Sequence, residues 1–262
     1  MKLVTLMENT TCRDDLVCEH GLSLYIETGS RRILFDAGQT DAFLHNAQRM
    51  GIDLAQVDLC ILSHGHYDHG GGLQRFLEIN DHAPVYLSRY AFGAHYNAAN
   101  KYIGLSPALQ GHPRLILTGD EHPIDTHLSL HSCRMHPQPF PFSPFGLNRE
   151  EDGVRLPEDF RHEQYLLIRE GDRRILVSGC SHRGVLNIRS WFDPDVLIGG
   201  FHLMKLDPAS DAAQLHHIAD QLLQGHTVYY TGHCTGEGPY ACLKAHMGDR
   251  LHALSTGMTL TV

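Results

Sequence analysis

No two of the seven cysteines stand as a CxxC pair, and their odd number leaves no complete set of disulfides. Cys12, Cys18, Cys60, Cys133, Cys180, Cys234 and Cys242 are scattered, which argues against a disulfide framework and against a structural zinc knuckle. No apolar stretch approaches the roughly 20 residues that span a bilayer. The opening residues, MKLVTLMENTTCRDD, lack the apolar run of a secretory signal and turn acidic quickly. Positive charge is scarce as well: 21 Lys and Arg face 30 Asp and Glu, and the formal net charge of -9 repels nucleic acid and anionic membrane. These absences predict a soluble chain in a reducing, cytoplasmic setting, without nucleic-acid or membrane partners. With 262 residues and 42% apolar content it can bury a sizeable core, read as one domain over residues 1–262.

What is present is a repeated order of elements. Residues 3–7, 22–28 and 32–36 read as strands, with a hairpin turn at Gly29-Ser30. Helical spacing of apolar residues follows over 40–50, then the continuous apolar run VDLCILS at 57–63, typical of a strand covered on both faces. A short helix at 73–80 and strands at 84–87, 114–117 and 128–133 complete the first half, with 88–112 unassigned. The second half opens on a hairpin, 164–169 with 174–178, turned at Gly171-Asp172. Helices over 184–191, 209–223 and 239–247 then alternate with strands at 196–198 and 227–231. The tail reads as two short strands, 251–254 and 258–262, paired with each other. Hairpins first and strand–helix alternation second, twice over, predict two α/β halves whose sheets face each other with helices outside. Between the halves MHPQPFPFSPFG, residues 135–146, interleaves prolines with phenylalanines and reads as an ordered loop, either a lid over a pocket or a surface connection with its own small apolar cluster.

Histidine is abundant, 21 residues, and its densest packet is LSHGHYDHGGG at 62–72. His64, His66, Asp68 and His69 fall within six positions directly after the apolar run. Neutral imidazoles suit zinc or iron, and a carboxylate adds charge compensation. A tight turn after a strand can aim His64 and His66 at one cation, and Asp68 and His69 at a second about 3.5–4 Å away. Further donors stand where other strands end: Cys180 and His182 in SGCSHRG, His202 in GGFHL and His233 in YTGHCTG. Each alone fits a packing or hydrogen-bonding role. Asp36 in FDAG is placed to orient a ligand histidine, and His20 and Glu8 either line the site or cap turns. Arg183, Lys205 and the glycine turn are candidate anion binders.

The stretches ENTT at 8, EHGLSLYIET at 19, ILFDAGQ at 33, LSHGHYDHGGGL at 62, SGCSHRGVLN at 178, GGFHL at 199 and YTGHCTG at 230 together resemble the metallo-β-lactamase superfamily. Within it they are similar to the dihydropterin-ribofuranosyl-aminobenzene phosphate synthases. The resemblance implies a four-layer αββα sandwich with two divalent metal ions, zinc before iron or manganese, at one edge of the sheets. It implies His233 as the last metal histidine. Cys180 departs from the pattern, standing where the superfamily often has a bridging Asp, and His162 lies near the usual place of a third metal histidine without matching its local pattern.

The implied activity is hydrolysis of a small anionic phosphoester, thioester or lactone by water ionised between two cations, with Asp68 anchoring one metal and His202 handling a developing charge or a proton. A pterin- or phosphoribosyl-related substrate fits the subfamily likeness. A ligand-binding or regulatory protein that retains the metals is the alternative, with di-iron redox chemistry behind it. Self-association is left open.

Overall fold

The computed structural model describes all residues from Met1 to Val262. Strands β1 (Lys2–Met7), β2 (Ser23–Glu27) and β3 (Arg32–Phe35) form an antiparallel meander, with Leu3 opposite Ile26 and Leu24 opposite Phe35. Helix α1 (Ala42–Arg49) then returns the chain, and β4 (Leu59–Ile61) pairs parallel to β3. Two short helices, α2 (Tyr67–Gly70) and α3 (Leu73–Ile79), lead to β5 (Val85–Ser88), to the small strand β6 (Ala94–Tyr96) and to β7 (Leu115–Thr118). The central parallel strand β4, LCI, is apolar and buried throughout because helices cover one face and the second sheet covers the other.

The second half repeats the plan. Strand β8 (Glu121–Pro123), β9 (Leu128–His131), β12 (Tyr165–Glu170) and β13 (Arg173–Val177) are antiparallel. Between them β10 (Asn148–Glu151) and β11 (Val154–Pro157) make a hairpin that joins β6 in a separate three-stranded sheet. Helix α4 (Val185–Phe192), β14 (Val196–Ile198), α5 (Ala212–Leu223), β15 (Val228–Thr231), α6 (Glu237–Met247) and β16 (Leu251–Ala253) follow, with β14 to β16 parallel. The last strand is β17 (Thr259–Thr261). The two large sheets are seven-stranded, ordered β17-β1-β2-β3-β4-β5-β7 and β16-β15-β14-β13-β12-β9-β8.

Three apolar layers hold this together. The central one interdigitates Leu24, Ile33, Phe35 and Ile61 from one sheet with Leu130, Leu166, Val177 and Ile198 from the other. Outside, Phe43 of α1 and Phe76 of α3 pack on the first sheet, and Ile188, Leu215 and Leu243 of α4, α5 and α6 pack on the second. Each fully buried Leu, Ile or Phe contributes about 1.5–3 kcal/mol. The result is the four-layer αββα sandwich that the sequence predicts.

The tail departs from expectation. β16 and β17 do not pair with each other: β16 extends the second sheet beside β15, while β17 lies antiparallel to β1 in the first. Each sheet had an open edge, and covering both satisfies more backbone than one local hairpin would. The crossing is made at Gly257, φ +93°, whose N–H bonds the Thr5 carbonyl at 2.9 Å.

Candidate metal centre

Five strands end at one edge of the sandwich, and the residue types that bind metals sit just beyond those ends. β3 runs into Asp36, β4 into Ser63 and His64, β13 into Cys180 and His182, β14 into His202, and β15 into His233 and Cys234. The motif after β4 is compact because His66 stands at the N-cap of α2, and the single turn of that helix carries Asp68 and His69 inward. Asp36, Phe160, Ser181, His202 and His233 all have φ between +50° and +59°. Such strain costs on the order of 1–3 kcal/mol per residue and clusters where side-chain aim matters more than backbone comfort.

Hydrogen bonds fix which ring nitrogens face inward. The buried Asp36 carboxylate accepts the Ser63 N–H and hydroxyl, each at 2.7 Å, and the Nδ1–H of His69 at 2.7 Å. With its own proton given to Asp36, Ser63 Oγ accepts from His64 Nδ1 at 2.8 Å. Asn9 Oδ1 takes the Nδ1–H of His233 at 2.8 Å. Lone pairs of Nε2 on His64, His69 and His233 are thereby turned into the centre. There His64 Nε2 lies 3.2 Å from His182 Nε2, and His69 Nε2 lies 3.2 Å from His233 Nε2 and 3.0 Å from Cys180 Sγ. Asp68 Oδ2 is 3.2 Å from His20 Nε2 and 3.4 Å from His233 Nε2. Two ligand nitrogens on one tetrahedral cation, with bonds of about 2.0–2.1 Å, stand about 3.3–3.4 Å apart. The donors fall into groups that could each hold an ion: His64, His66 and His182; His64, His69 and Cys180; Cys180, His233 and Cys234; His20, Asp68 and His233.

Electrostatics point the same way. Burial, with neighbouring rings, pushes His64, His66 and His182 well below the usual histidine range, so these imidazoles are neutral. Burial lifts the Asp68 carboxyl, but His69, His20 and His233 together hold it well below the carboxylate range. Burial would lower His69, yet Asp36 and Asp68 carry it up to about 9. A proton on His69 therefore stands, in the metal-free chain, where a cation would be welcome.

All eight residues expected at the site, His64, His66, Asp68, His69, Cys180, His182, His202 and His233, are brought together. His202 lies against His182 with ring centroids 4.2 Å apart and the planes tilted by 59°, and both its ring nitrogens are buried without partners. Glu8 holds the chain at the site's edge, its carboxylate accepting the His233 N–H and the Thr10 N–H and hydroxyl. His182 is the ring grouped with His64 and His66; His162 instead accepts the Gly65 N–H at its Nδ1, 2.8 Å away. Lys205 is exposed and does not line the cavity beside the centre. Arg183 is buried, its guanidinium donating to the Ser132 and Arg134 carbonyls. Gly71 and Gly72 have ordinary negative φ, but a Cβ on Gly71 would lie 2.1 Å from the Gln39 carbonyl oxygen. They permit close approach, not unusual torsions. Cys234, His95 and Glu158 join the donor groups although no local pattern marks the last two. Cys234 was adjacent to His233 and readable as a donor from that position alone.

A cavity of about 310 Å³ opens beside His182 and His202, walled by Phe140, Phe142 and Phe145 of the proline-rich loop. That loop thus covers a pocket. A second cavity, about 370 Å³, shares Phe142 and sets Arg134, Arg161 and Arg183 against Asp159.

A family model described as the metallo-beta-lactamase superfamily matches residues 16–233. An uncharacterized protein of Methanocaldococcus jannaschii is 28% identical over 89% of this chain and 91% of its own. From the same organism, 7,8-dihydropterin-6-methyl-4-(beta-D-ribofuranosyl)-aminobenzene-5'-phosphate synthase is 29% identical over 83% of this chain and 81% of its own. A solved metal-dependent hydrolase of the beta-lactamase superfamily superposes with a TM-score of 0.81 at 26% identity, covering 100% of this chain and 99% of that one.

Proposed function

This chain belongs to the metallo-β-lactamase superfamily, and from that premise we propose that it is a metal-dependent hydrolase acting on a small anionic substrate that carries a flat ring. The observation that carries this is the wiring of the imidazoles. Two Nε2–Nε2 pairs face each other at 3.2 Å, and in three of the four rings Nδ1 is committed to an acceptor. Without a metal each pair closes as an N–H···N hydrogen bond, the His69 proton serving one of them; once those protons are displaced, each pair presents two lone pairs at the spacing a shared cation needs. We assign His64, His66 and His182 to one ion and Asp68, His69, His233 and Cys180 to a second, with Cys234 an added sulfur donor, zinc being preferred for imidazole and thiolate. Bound divalent ions would supply Lewis acidity, polarising a substrate oxygen and acidifying a shared water.

The remaining chemistry belongs to the side chains. Asp68 is held ionised and positioned to accept a proton from a nucleophilic water or orient it. His202, its two ring nitrogens unpartnered beside the aromatic cavity, is positioned to hydrogen-bond a developing negative charge or to protonate a leaving group. The phenylalanine wall supports ring stacking, and the arginine-lined cavity next to it supports an anionic group. The synthase relative's named product combines a pterin, an aminobenzene ring and a ribofuranosyl phosphate. A substrate of that class fits both cavities in chemistry.

The test is turnover by the zinc-, iron- and manganese-loaded protein on aryl phosphodiesters, thioesters and lactones, with chelated protein as the blank. Metal-dependent hydrolysis that His202→Ala slows by about 10²–10⁴-fold is expected. No turnover with any metal, accompanied by tight binding of a ring-bearing phosphate, would sink the hydrolase reading in favour of a ligand-holding role.

A further inference from the structure

Behind the centre lies a second buried cluster that the proposed chemistry does not use. One ring nitrogen each of His66, His95 and His162 and a carboxylate oxygen of Glu158 lie within 4.8 Å of one another. All four side chains are buried. Glu158 comes from the end of the β10–β11 hairpin and His95 from β6, so the small third sheet exists at the back of the site and delivers both.

Partners again decide the protons. Glu158 Oε2 accepts the Nδ1–H of His95 at 2.8 Å, and Oε1 accepts the Asp159 and Phe160 N–H groups at 3.2 and 3.1 Å. His95 therefore turns a lone pair on Nε2 away from Glu158, and that nitrogen is buried without a partner. His162 has the opposite tautomer, because its Nδ1 accepts the Gly65 N–H; its Nε2–H lies 3.6 Å from Glu158 Oε1. That proton disqualifies His162 Nε2 as a ligand, which argues against reading the cluster as one more metal site. His66 is the remaining member. Its Nε2 is buried and unpartnered, and its ring meets that of His95 edge-on at 5.5 Å between centroids and 79°.

We infer that Glu158 and His95 are positioning residues that fix the tautomer of His66, taking its Nε2–H across one water, so that Nδ1 is the atom offered to the metal. A buried N–H and a buried lone pair each cost free energy when unmet, and each is the other's remedy here. The carboxylate–histidine–histidine series continues the logic by which Asp36 and Ser63 orient His69 and His64, through a different sheet. It rests on the metal-centre reading above and not on the hydrolytic one.

Two measurements test it. In the zinc-loaded wild-type protein, long-range ¹H–¹⁵N correlations of histidine should show His66 with zinc on Nδ1 and a proton on Nε2; zinc on Nε2 overturns the inference without any variant. Zinc competition against a chromophoric chelator should then show His95→Phe and Glu158→Leu weakening one of the bound ions by about 10–100-fold. His95→Gln, whose amide oxygen can still accept, should recover most of that loss. Affinity within twofold of wild type in His95→Phe overturns the proposal. So does an additional zinc equivalent that disappears in these variants, since the cluster would then be a metal site itself. Absence of hydrolysis would leave both readouts intact.

Discussion

Asp36 joins three groups of the centre although it faces no substrate cavity. Replacing it by Asn keeps the size but puts an NH₂ where His69 Nδ1–H now donates. His69 would answer by reversing its tautomer, carrying its proton on Nε2 and pointing an N–H at the metal position. Asp36→Asn should therefore lower zinc affinity by about 10–100-fold while the far-UV circular dichroism is retained; unchanged affinity would show that His69 is not a ligand. The raised pKa of His69, about 9, gives a second expectation with a definite sign. Below that value the metal-free protein holds a proton that a cation must displace, so apparent zinc affinity should climb as pH rises and level off above about 9. Calorimetry at pH 7 in buffers of differing ionisation enthalpy should register proton release on binding, and none would contradict the assignment.

The turn that carries the motif is a matter of elements meeting at close range. A Cβ on Gly71 would strike the Gln39 carbonyl at 2.1 Å, so α2 can sit against the chain after β3 only through glycine. Gly71→Ala should lose about 1–3 kcal/mol in chemical denaturation from this overpacking. Gly29→Ala, at the open β2–β3 turn with nothing within 4 Å, should stay within about 0.5 kcal/mol of wild type. Equal effects would refute the close-approach reading. The elements legible in the sequence were those whose pattern is local: apolar runs such as 57–63, and hairpins such as the one at Gly171. The DG turn at Asp152-Gly153, both with positive φ, was an equally local signal for β10–β11, and the flanking charges hid it because that small sheet is half exposed. What could not be read locally is partnership. β16 and β17 look like a hairpin until two open sheet edges compete for them. His95 and Glu158 are 63 positions apart and meet only through β6 and β10. The first candidate donors, by contrast, were visible because HxHxDH puts four of them on one turn.

At the scale of the whole molecule the proposed metal centre would act as a clasp. His64, His66, Asp68 and His69 come from the first sheet, and Cys180, His182, His202 and His233 from the second, so any ion shared among them ties the two sheets at one edge. The central apolar layer already joins the sheets along their length, and it needs no metal. Ion removal should therefore loosen the edge and leave the sandwich folded. At free zinc a thousandfold above its Kd the clasp contributes about 4 kcal/mol, or a melting shift of roughly 8–16 °C for a chain of this size. Hydrogen exchange read alongside should separate edge from core. Chelation should speed exchange at residues 62–72, 178–184 and 231–236 together, because each set loses the same ion. Amides of β3, β12 and β13 should keep their protection. A loss confined to residues 62–72 would mean that the second sheet contributes no ligand, and the pairing of His64 with His182 at 3.2 Å would then be a contact of packing alone.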